Sequence, residues 1–549
     1  MITDLKHGPS TQTRVADVCI IGGGTAGLTL VREFLKSKCT VVLLESGGNE
    51  VEEATQQLYR CEIAGLPHRG HLEGRFRVLG GTSTRWGGQL LPLIAHDIEE
   101  RDWIGAPSWP LKYADLVPYY RRVEDLFRVD ELPYDPLGAE ELPVAPPGFR
   151  SDLFQARYAK WPPFARRNLW LLVGADCAAA TNFEVILHAN VTEIVLNTQG
   201  TQVESVLAKS LSAAMLTVQA KYFVVSTGTL ETVRLLLASK ASRGMSPGNH
   251  ADQLGRNFQD HLSLRAAELI PRSPRDLEKT FAPFFVGNTM RTVRLDLSPR
   301  VQSEKKLLSC FGQILFEAPV HSGFVELREA LRRLQSRQNP WPGIAAWMNI
   351  VRDLPYMCRL GYSRYLRHRV AYPSGAHFHL QVDVEQQPNP GSRVTLSQER
   401  DSLGMPMIRL DWQIGDRERL TMQEYVRMFR SEWERLNLGE ARWNANVFQT
   451  GNEWLRDITD VYHQTGGTSM SESPEAGVVD PHLRVHGVAN LFLASCSVFP
   501  SAGSANPTFT LLALTIRLAE HLKALLGTGP ASVQDGNDRA DLHGVPKGY

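Results

Sequence analysis

Residues 15–45 read VADVCIIGGGTAGLTLVREFLKSKCTVVLLE and decide the fold. An apolar run precedes a turn of three glycines, a stretch with helical periodicity follows to about Lys36, and a second apolar run starts at Thr40. Apolar runs of this length are typical of buried parallel strands. The pattern therefore predicts one β-α-β unit.

The glycine turn of this unit fits the pattern G-x-G-x-x-G at Gly22, Gly24 and Gly27. In that pattern the first glycine makes the tight turn, the second lets the backbone approach a pyrophosphate, and the third lets helix and strand pack closely. Glu45 ends the second strand, where a carboxylate accepts hydrogen bonds from ribose hydroxyls and disfavours a 2′-phosphate. We therefore expect a dinucleotide, either FAD or NAD; the alternative is a purely structural turn.

Length and charge exclude several classes of protein. The chain has 549 residues, with 59 basic and 59 acidic side chains, so it lacks the basic excess of a dedicated nucleic-acid binder. Apolar residues make up 43% and charged residues 21%, which are ordinary globular values and exclude fibrous and wholly disordered chains. The length predicts two or more domains around a large core.

The seven cysteines are scattered singly, without a C-x-x-C pair. This pattern favours a reduced interior over a disulfide framework or a zinc site, and we expect no metal. The first fourteen residues lack the apolar core of a signal peptide, and no apolar run is long enough to span a membrane. We expect a soluble, cytoplasmic protein.

A second glycine-rich segment, residues 79–88, reads LGGTSTRWGG. Its backbone amides and small side chains suit the edge of a flavin, whereas a plain surface loop is the alternative. Residues 479–494 return to a strand-like pattern near the C-terminus. A single cofactor assembled from both parts of the chain would need such a return. FAD and NAD use the same glycine turn, so the choice between them needs evidence of this kind.

With these segments in view, the sequence resembles the glucose-methanol-choline (GMC) family of flavoprotein oxidoreductases. The matching pieces extend from about Asp17 to Ala524 in the family's order. They are the N-terminal glycine turn and residues 77–88, 108–111, 115–120, 224–237 and 463–514. Within the family, the loop LGGTSTRWGG and residues 504–510 are most similar to the branch of pyranose oxidases and bacterial sugar- and glycoside-oxidising enzymes.

The resemblance implies an α/β and α+β architecture. It combines a discontinuous Rossmann-like FAD-binding domain with a second substrate domain built on an antiparallel sheet covered by helices. We expect the FAD-binding domain over residues 13–264 and 444–527, with 91–180 as a partly covering insertion. The substrate domain is expected over 265–443, and flexible tails over 1–12 and 528–549.

Local patterns predict further elements. Strands are expected at residues 184–187, 191–196 and 222–226, and a helix at 231–239. The alternating residues 378–385, the turn-rich QPNPG of 387–391 and residues 393–396 together predict a β-hairpin.

The motif and the resemblance together define the expected FAD contacts. They are Gly22, Gly24, Thr25, Ala26, Gly27, Glu45, Gly80, Gly81, Thr82, Ser83, Arg85, Trp86, Val191, Ser495, Asn506 and Thr508.

Two of these positions depart from the residues that the family usually has. Arg85 stands where pyranose oxidases have a histidine joined covalently to the flavin, so we expect non-covalent FAD. Ser495 stands where the wider family has an aspartate, which removes one expected contact.

His463 and Asn506 are the expected catalytic pair. A neutral imidazole is the natural base near pH 7, and an asparagine amide can donate to a substrate oxygen without titrating. A histidine by itself is more often structural, and Asn-Pro is a common turn opener. Both positions match the family motif, which favours the catalytic role; other histidines, including His261, receive none.

The sequence of the expected substrate domain predicts its structure and function least clearly. Residues 328–369 interleave arginines with tryptophans and tyrosines, which predicts either a solvated helical cover over the substrate cavity or a helix that docks on a membrane surface or a partner. Gln386 and Gln387, near the predicted hairpin turn, are expected along with His463 and Asn506 to bind substrate.

The expected function is FAD-dependent oxidation of a sugar, glycoside or polyol hydroxyl to a carbonyl, by hydride transfer to flavin N5 with His463 as base. The alternatives are oxidation of a non-sugar alcohol, a GMC-fold lyase, or a flavin-binding scaffold without net redox. The expected partners are the small-molecule substrate and an electron acceptor, which is oxygen, a quinone or a protein.

Overall fold

A computed structural model describes residues 1–8, 10–99, 101–105, 108–136, 142, 148–239, 244–319, 323–335, 339, 341 and 343–528. Its strands are β1 (Ile2–Asp4), β2 (Thr11–Ile21), β3 (Val41–Leu44), β4 (Cys61–Ile63), β5 (Phe154–Trp161), β6 (Phe183–Leu187), β7 (Asn190–Leu196), β8 (Val203–Lys209), β9 (Met215–Val225), β10 (Leu262–Pro271), β11 (Phe284–Val286), β12 (Thr289–Leu297), β13 (Cys310–Glu317), β14 (His377–Val384), β15 (Arg393–Arg400), β16 (Pro406–Asp411), β17 (Gly439–Trp443), β18 (Thr459–Asp460) and β19 (Leu491–Leu493).

The helices of these same residues lie between and after the strands. They are α1 (Thr25–Phe34), α2 (Glu53–Gln56), α3 (Ala95–Ile98), α4 (Tyr113–Phe127), α5 (Leu169–Ala179), α6 (Thr229–Ala238), α7 (Pro274–Phe281), α8 (Pro299–Lys305), α9 (Gly323–Gln335), α10 (Ile344–Arg352), α11 (Leu354–Leu366), α12 (Asp416–Arg435) and α13 (Pro507–Leu525). None of the helices in the described part of the chain combines the length and apolar composition that a bilayer-spanning helix needs.

The first sheet has a parallel core. Its order is β1-β6-β3-β2-β9-β8-β7, and β19 pairs in parallel with β9. In register, Ile21 lies beside Leu44 on one side and Val225 on the other, so these strands end at one edge of the sheet. The predicted β-α-β unit is β2, α1 and β3, and its strands are buried as the apolar runs require.

The second sheet is antiparallel. Its order is β11-β12-β13-β14-β10-β17, with β5 on β12 and β18 on β10. Helix α12 covers β13 and β14, and it buries Met422, Tyr425, Val426, Phe429 and Trp433, which recur at helical spacing on one face. A parallel sheet beside a helix-covered antiparallel one confirms the predicted fold class, whereas the domain boundaries stay a prediction.

Two local expectations are wrong. Residues 1–12 are not a flexible tail over the part that the structure describes, because β1 extends the parallel sheet and Leu5 is buried. Strands β14 and β15 do not form a hairpin: β14 pairs with β10 and β13, while β15 joins β16 and β4 in a third sheet. The turn-rich sequence between them carries the chain from one sheet to another. Most of the expected C-terminal tail, residues 529–549, lies outside the described residues.

Candidate active site

A cleft lies where the parallel strands end. Its lining includes Gly22, Glu45, Ser226 and Ala494, which directly follow β2, β3, β9 and β19. The empty space, including the mouth that opens to solvent, is about 1430 Å³. Ligands of open α/β sheets bind at this edge, outside the carboxyl ends of the strands.

The three glycines of the turn have different local surroundings. Gly22 has a φ of +105°, and a Cβ there would lie 2.6 Å from the carbonyl oxygen of Ser226. A Cβ on Gly27 would lie 1.9 Å from the carbonyl oxygen of Gly22, so this glycine is needed for close packing. A Cβ on Gly24 would meet no protein atom of the described chain within 4 Å. Gly24 therefore leaves space for a ligand.

Helix α1 begins at this space. Gly24 is its N-cap residue and has no side chain with which to cap the helix, while Thr25 and Ala26 line the cleft. The N–H groups of a first helical turn bind anions, and the helix dipole adds to the attraction. The turn therefore has the features of a diphosphate site.

Glu45 is buried beside the turn. Its carboxylate accepts hydrogen bonds from the backbone N–H of Gly23 at 2.8 Å and of Gly47 at 2.7 Å. Burial raises the pKa of this carboxyl, and these hydrogen bonds oppose the rise. The position at the end of β3, on the cleft lining, suits the predicted contact with ribose hydroxyls.

The second glycine segment lies directly on the first. Gly81 and Thr82 line the cleft, and a Cβ on Gly81 would lie 2.8 Å from the Cα of Gly24. Gly81 also has a φ of +53°, which favours glycine. The two glycine segments therefore form one wall of the cleft.

Other residues of this segment that were expected to contact FAD form hydrogen bonds within the protein. The Ser83 hydroxyl donates to the carbonyl of Gly80 at 2.6 Å, and the Trp86 indole donates to the carbonyl of Arg167 at 2.7 Å. Arg85 is exposed, with its guanidinium over the ring of Phe76. Among the described residues, the cleft lining does not include Gly80, Ser83, Arg85 or Trp86.

Val191, Ser495 and Thr508 reach the cleft from three other segments. The Ser495 side chain accepts a hydrogen bond from the backbone N–H of Ser497 at 3.2 Å, so it caps the short turn after β19. Asn506 and Gly27 are absent from the lining as the structure describes it. Asn506 contacts His463 instead.

His463 and Asn506 face each other. The Nδ2 atom of Asn506 lies 2.9 Å from Nε2 of His463, and both residues are half-buried. Asn506 is the N-cap residue of α13, but its side chain makes no capping hydrogen bond. The structure thus brings the two predicted catalytic residues together, and His463 lines the cleft.

A third residue, His261, completes a chain of hydrogen bonds. Its Nε2 lies 2.7 Å from the carbonyl oxygen of Gly503, and its Nδ1 lies 2.9 Å from Nδ1 of His463. A carbonyl oxygen only accepts, so Nε2 of His261 carries the proton and, in the neutral ring, Nδ1 accepts. His463 must then donate from Nδ1 and accept at Nε2, which assigns the facing atom of Asn506 as the amide nitrogen.

The surroundings keep both imidazoles neutral. The pKa of His463 lies well below its ordinary value of 6.5, chiefly because of burial and then because of His261 and Arg294 nearby. Burial also lowers the pKa of His261, although Asp260 and the Gly503 carbonyl oppose this. A neutral His463 with an accepting Nε2 is ready to take a proton.

Asp260 fixes the backbone of His463. One carboxylate oxygen accepts from the backbone N–H of His463 at 2.8 Å, and the other lies 3.1 Å from Nε2 of the buried His68. His68, Asp260 and Asp460 have ligand-type atoms within 4.8 Å of one another. The Asp460 carboxylate accepts hydrogen bonds from the backbone N–H groups of Arg69 and Gly70. The cluster therefore links separate segments of the chain.

An arginine–glutamate cluster, which the sequence did not predict, lines another part of the cleft. Glu231 pairs with Arg75 at 3.1 Å, with Arg77 at 3.0 Å and with Arg234 at 3.3 Å. Burial by itself raises the pKa of Glu231, but the three guanidinium groups outweigh it and lower the pKa to about 2. Arg75 and Arg77 also lie over the ring of Tyr59.

The two glutamines expected to bind substrate are elsewhere. Gln386 is fully buried; its side-chain oxygen accepts from the backbone N–H of Asp260 and the indole of Trp412, and its nitrogen donates to the carbonyl of Gln413. The Gln387 amide donates to the carbonyl of Ile104 at 3.1 Å. The expectation for these two residues is corrected, because their amides connect loops and do not line the cleft.

Comparison with known proteins gives the class. The N- and C-terminal models of the GMC oxidoreductase family match residues 170–263 and 388–515. The chain is 22% identical to the fructose dehydrogenase large subunit of Gluconobacter japonicus, over 93% of this chain and 98% of that one. It is also 22% identical to the 2-methyl-1,2-propanediol dehydrogenase of Mycolicibacterium austroafricanum, over 93% and 96%.

Among solved structures, a formate oxidase from Aspergillus oryzae RIB40 superposes with a TM-score of 0.58 at 18% identity, covering 93% of this chain and 98% of the other. The chain therefore contains the N- and C-terminal domains of GMC oxidoreductases, which are FAD-dependent enzymes. The protein is accordingly an FAD-dependent oxidoreductase.

Proposed function

We propose that the protein oxidises a hydroxyl group of a sugar, glycoside or polyol to a carbonyl, with His463 as the base. The observation that carries this proposal is the facing pair at the cleft, in which the Asn506 amide donates to the accepting Nε2 of His463 across 2.9 Å. A hydroxyl both donates and accepts. Inserted between the two side chains, it replaces their one hydrogen bond with two.

In this arrangement each residue has one task. His463 accepts the hydroxyl proton at Nε2 as the carbon loses its hydrogen with the bonding electron pair. Asn506 donates from Nδ2 to the same oxygen and stabilises the negative charge that develops there. His261 is a positioning residue, since its accepting Nδ1 holds the proton of His463 on the far nitrogen and leaves Nε2 free.

The cleft fits FAD at the positions that bind a dinucleotide. The N-terminus of α1 and the open space at Gly24 suit the diphosphate, and Glu45 suits a ribose. Gly81 and Thr82 add a wall close to Gly24. When bound, FAD supplies the hydride acceptor at flavin N5.

The sugar-like substrate class draws support from two observations. One relative, similar over nearly its whole length, is a fructose dehydrogenase. Beside the catalytic pair, the buried Arg294 donates from Nη2 to the carbonyl of Ser504 at 2.8 Å, while its Nη1 has no hydrogen-bond partner within the described chain. A polyhydroxylated substrate offers acceptors for such a donor. The diol dehydrogenase relative favours a second candidate, a non-sugar alcohol.

The test is anaerobic reduction of the FAD-loaded enzyme by separate panels of sugars and glycosides, polyols, and simple alcohols. Bleaching of the flavin absorbance is expected to be fastest with a sugar, glycoside or polyol. Faster bleaching by simple alcohols would establish the second candidate. No bleaching by any alcohol would contradict both and leave a lyase or a scaffold, neither of which reduces its flavin.

We propose further that the FAD is held non-covalently. Arg85, at the position of the linking histidine in pyranose oxidases, is exposed and lies over Phe76. Acid precipitation of the purified protein should release all of the FAD into the supernatant. Flavin that remains in the denatured pellet would contradict this assignment.

A further inference from the structure

Helices α9, α10 and α11 expose an unusual concentration of apolar side chains. Of the 24 large hydrophobic residues that are exposed in the described chain, eleven lie between residues 331 and 366. They include Ile344, which is 83% exposed, and Trp341, which is 70% exposed. Large exposed apolar surfaces mark sites of interaction with a protein or a membrane.

The exposed residues of α10 share one face. Ile344, Trp347, Met348 and Val351 recur at helical spacing and are all exposed. The opposite face contacts α9, because Asn349 donates to Glu326 at 3.3 Å and the Gly323 N–H donates to Asp353 at 2.7 Å. The helix is therefore amphipathic with its polar side toward the protein and its apolar side toward solvent, the reverse of an ordinary surface helix.

The two neighbouring helices also expose leucines and tyrosines. Leu331 and Leu334 of α9 are exposed, as are Tyr362 and Tyr365 of α11. Tyr356 anchors α11 to the protein, since its hydroxyl donates to the carbonyl of Ala371 at 2.8 Å. The three helices thus lie on the protein without covering their outer apolar surface.

Charge identifies what could cover that surface. Residues 323–367 contain eight arginines and three acidic residues, an excess of five in a chain whose net charge is zero. Arg333 and Arg359 pair with Glu329 and Glu278. No acidic side chain of the described residues pairs with Arg332 or Arg367. The apolar surface therefore carries unneutralised guanidinium groups.

We propose that helices α9 to α11 form a docking surface for an anionic lipid bilayer. An interfacial helix buries an apolar face at the boundary of headgroups and acyl chains, and basic residues at its border contact anionic headgroups. Tryptophan and tyrosine side chains favour that boundary, and Trp341, Trp347, Tyr362 and Tyr365 supply them here. A second copy of the chain would bring the same excess of positive charge to the contact, which disfavours a self-association surface.

The test is sedimentation of the full-length, FAD-loaded enzyme with sucrose-loaded vesicles. One set contains phosphatidylcholine alone, and the other contains phosphatidylcholine with phosphatidylglycerol. The enzyme should bind the anionic vesicles much more strongly, and binding should weaken as salt rises from about 0.05 M to about 0.5 M. Absence of binding to anionic vesicles would overturn the proposal.

Two double variants locate the contact. Trp347→Glu with Val351→Glu should lower the vesicle partition coefficient about tenfold or more. The matched control, Leu420→Glu with Leu525→Glu, introduces the same two charges at exposed leucines of α12 and α13 and should bind as the wild type does. Equal binding by the two double variants would overturn the assignment to this surface.

A charge variant and a mass measurement complete the test. Arg332→Gln with Arg367→Gln should weaken binding to anionic vesicles and reduce its dependence on salt. Light scattering should give the monomer mass for the wild type. A dimer that Trp347→Glu with Val351→Glu converts to a monomer, without any vesicle binding by the wild type, would assign the surface to a second copy and overturn the proposal.

Discussion

In the glycine-turn region of the cleft the groups that face a ligand come from the main chain, whereas in the His463 region they come from side chains. Gly22, Gly24 and Gly27 follow one another within six residues and act by lacking side chains. His463, His261 and Asn506 come from three distant segments and act through specific ring and amide atoms. Binding in the first region thus depends on local backbone shape, and chemistry in the second depends on long-range assembly.

The largest expected effect is the loss of FAD binding in the glycine-turn region alone. Gly24→Val should leave the protein folded, since a Cβ there meets no described protein atom and the φ of −81° suits any residue. The side chain would occupy the space of the diphosphate, so the variant should be purified without FAD. Flavin absorbance against protein concentration measures this.

A matched variant controls for the added side chain. Gly343→Val adds the same atoms at a site with equally open space, before α10 and outside the cleft lining, and should retain FAD. Stoichiometric FAD in Gly24→Val would mean that the diphosphate lies elsewhere.

The next largest effect is a slower reaction in the His463 region, with FAD binding at the glycine turn intact. His463→Ala should slow flavin reduction by substrate about 10²- to 10⁴-fold, because the base is lost. Asn506→Ala should cost about 10²-fold or more, because a donor to the developing charge is lost. Both variants should keep FAD. Stopped-flow anaerobic bleaching gives the rate constants.

The double variant sharpens this result. Because both side chains act on one oxygen, the combined loss should be smaller than the product of the single losses. Fully multiplicative losses, or a wild-type rate in either single variant, would show that His463 and Asn506 do not share the reacting hydroxyl.

A smaller effect is expected at His261. His261→Phe removes the acceptor for Nδ1 of His463 and should slow reduction about tenfold, the value of one hydrogen bond, with FAD retained. His261→Asn places an amide oxygen near the lost Nδ1 and should restore most of the rate. If the two variants are slowed equally, His261 has only a packing role.

The sequence predicted the first region better than the second. The glycine turn, α1 and Glu45 lie within 31 residues, so their spacing encodes the geometry. The pairing of His261 with His463 joins residues 202 positions apart, and the Glu231 cluster joins Glu231 to Arg75 across 156 positions. No local pattern predicts such pairings.

The two wrong expectations in the fold have the same cause. The residues between β14 and β15 are good turn formers, but a turn signal does not specify which strands pair across it. The polar N-terminus lacks a strong strand pattern, and only the free edge of β6 gives Ile2–Asp4 a partner. In both cases the deciding contact is distant in sequence.

The most direct test of the central claim, that a neutral His463 takes the hydroxyl proton, is the pH profile of anaerobic flavin reduction in the wild type and in His463→Ala. Burial lowers the pKa of His463 well below 6.5, so the accepting form persists below that pH and is lost only under more acidic conditions. The wild-type rate should therefore stay constant down through pH 6.5 and fall at lower pH, and this fall should be absent in His463→Ala. A wild-type decline centred at or above pH 6.5, or a decline that persists in His463→Ala, would contradict the account.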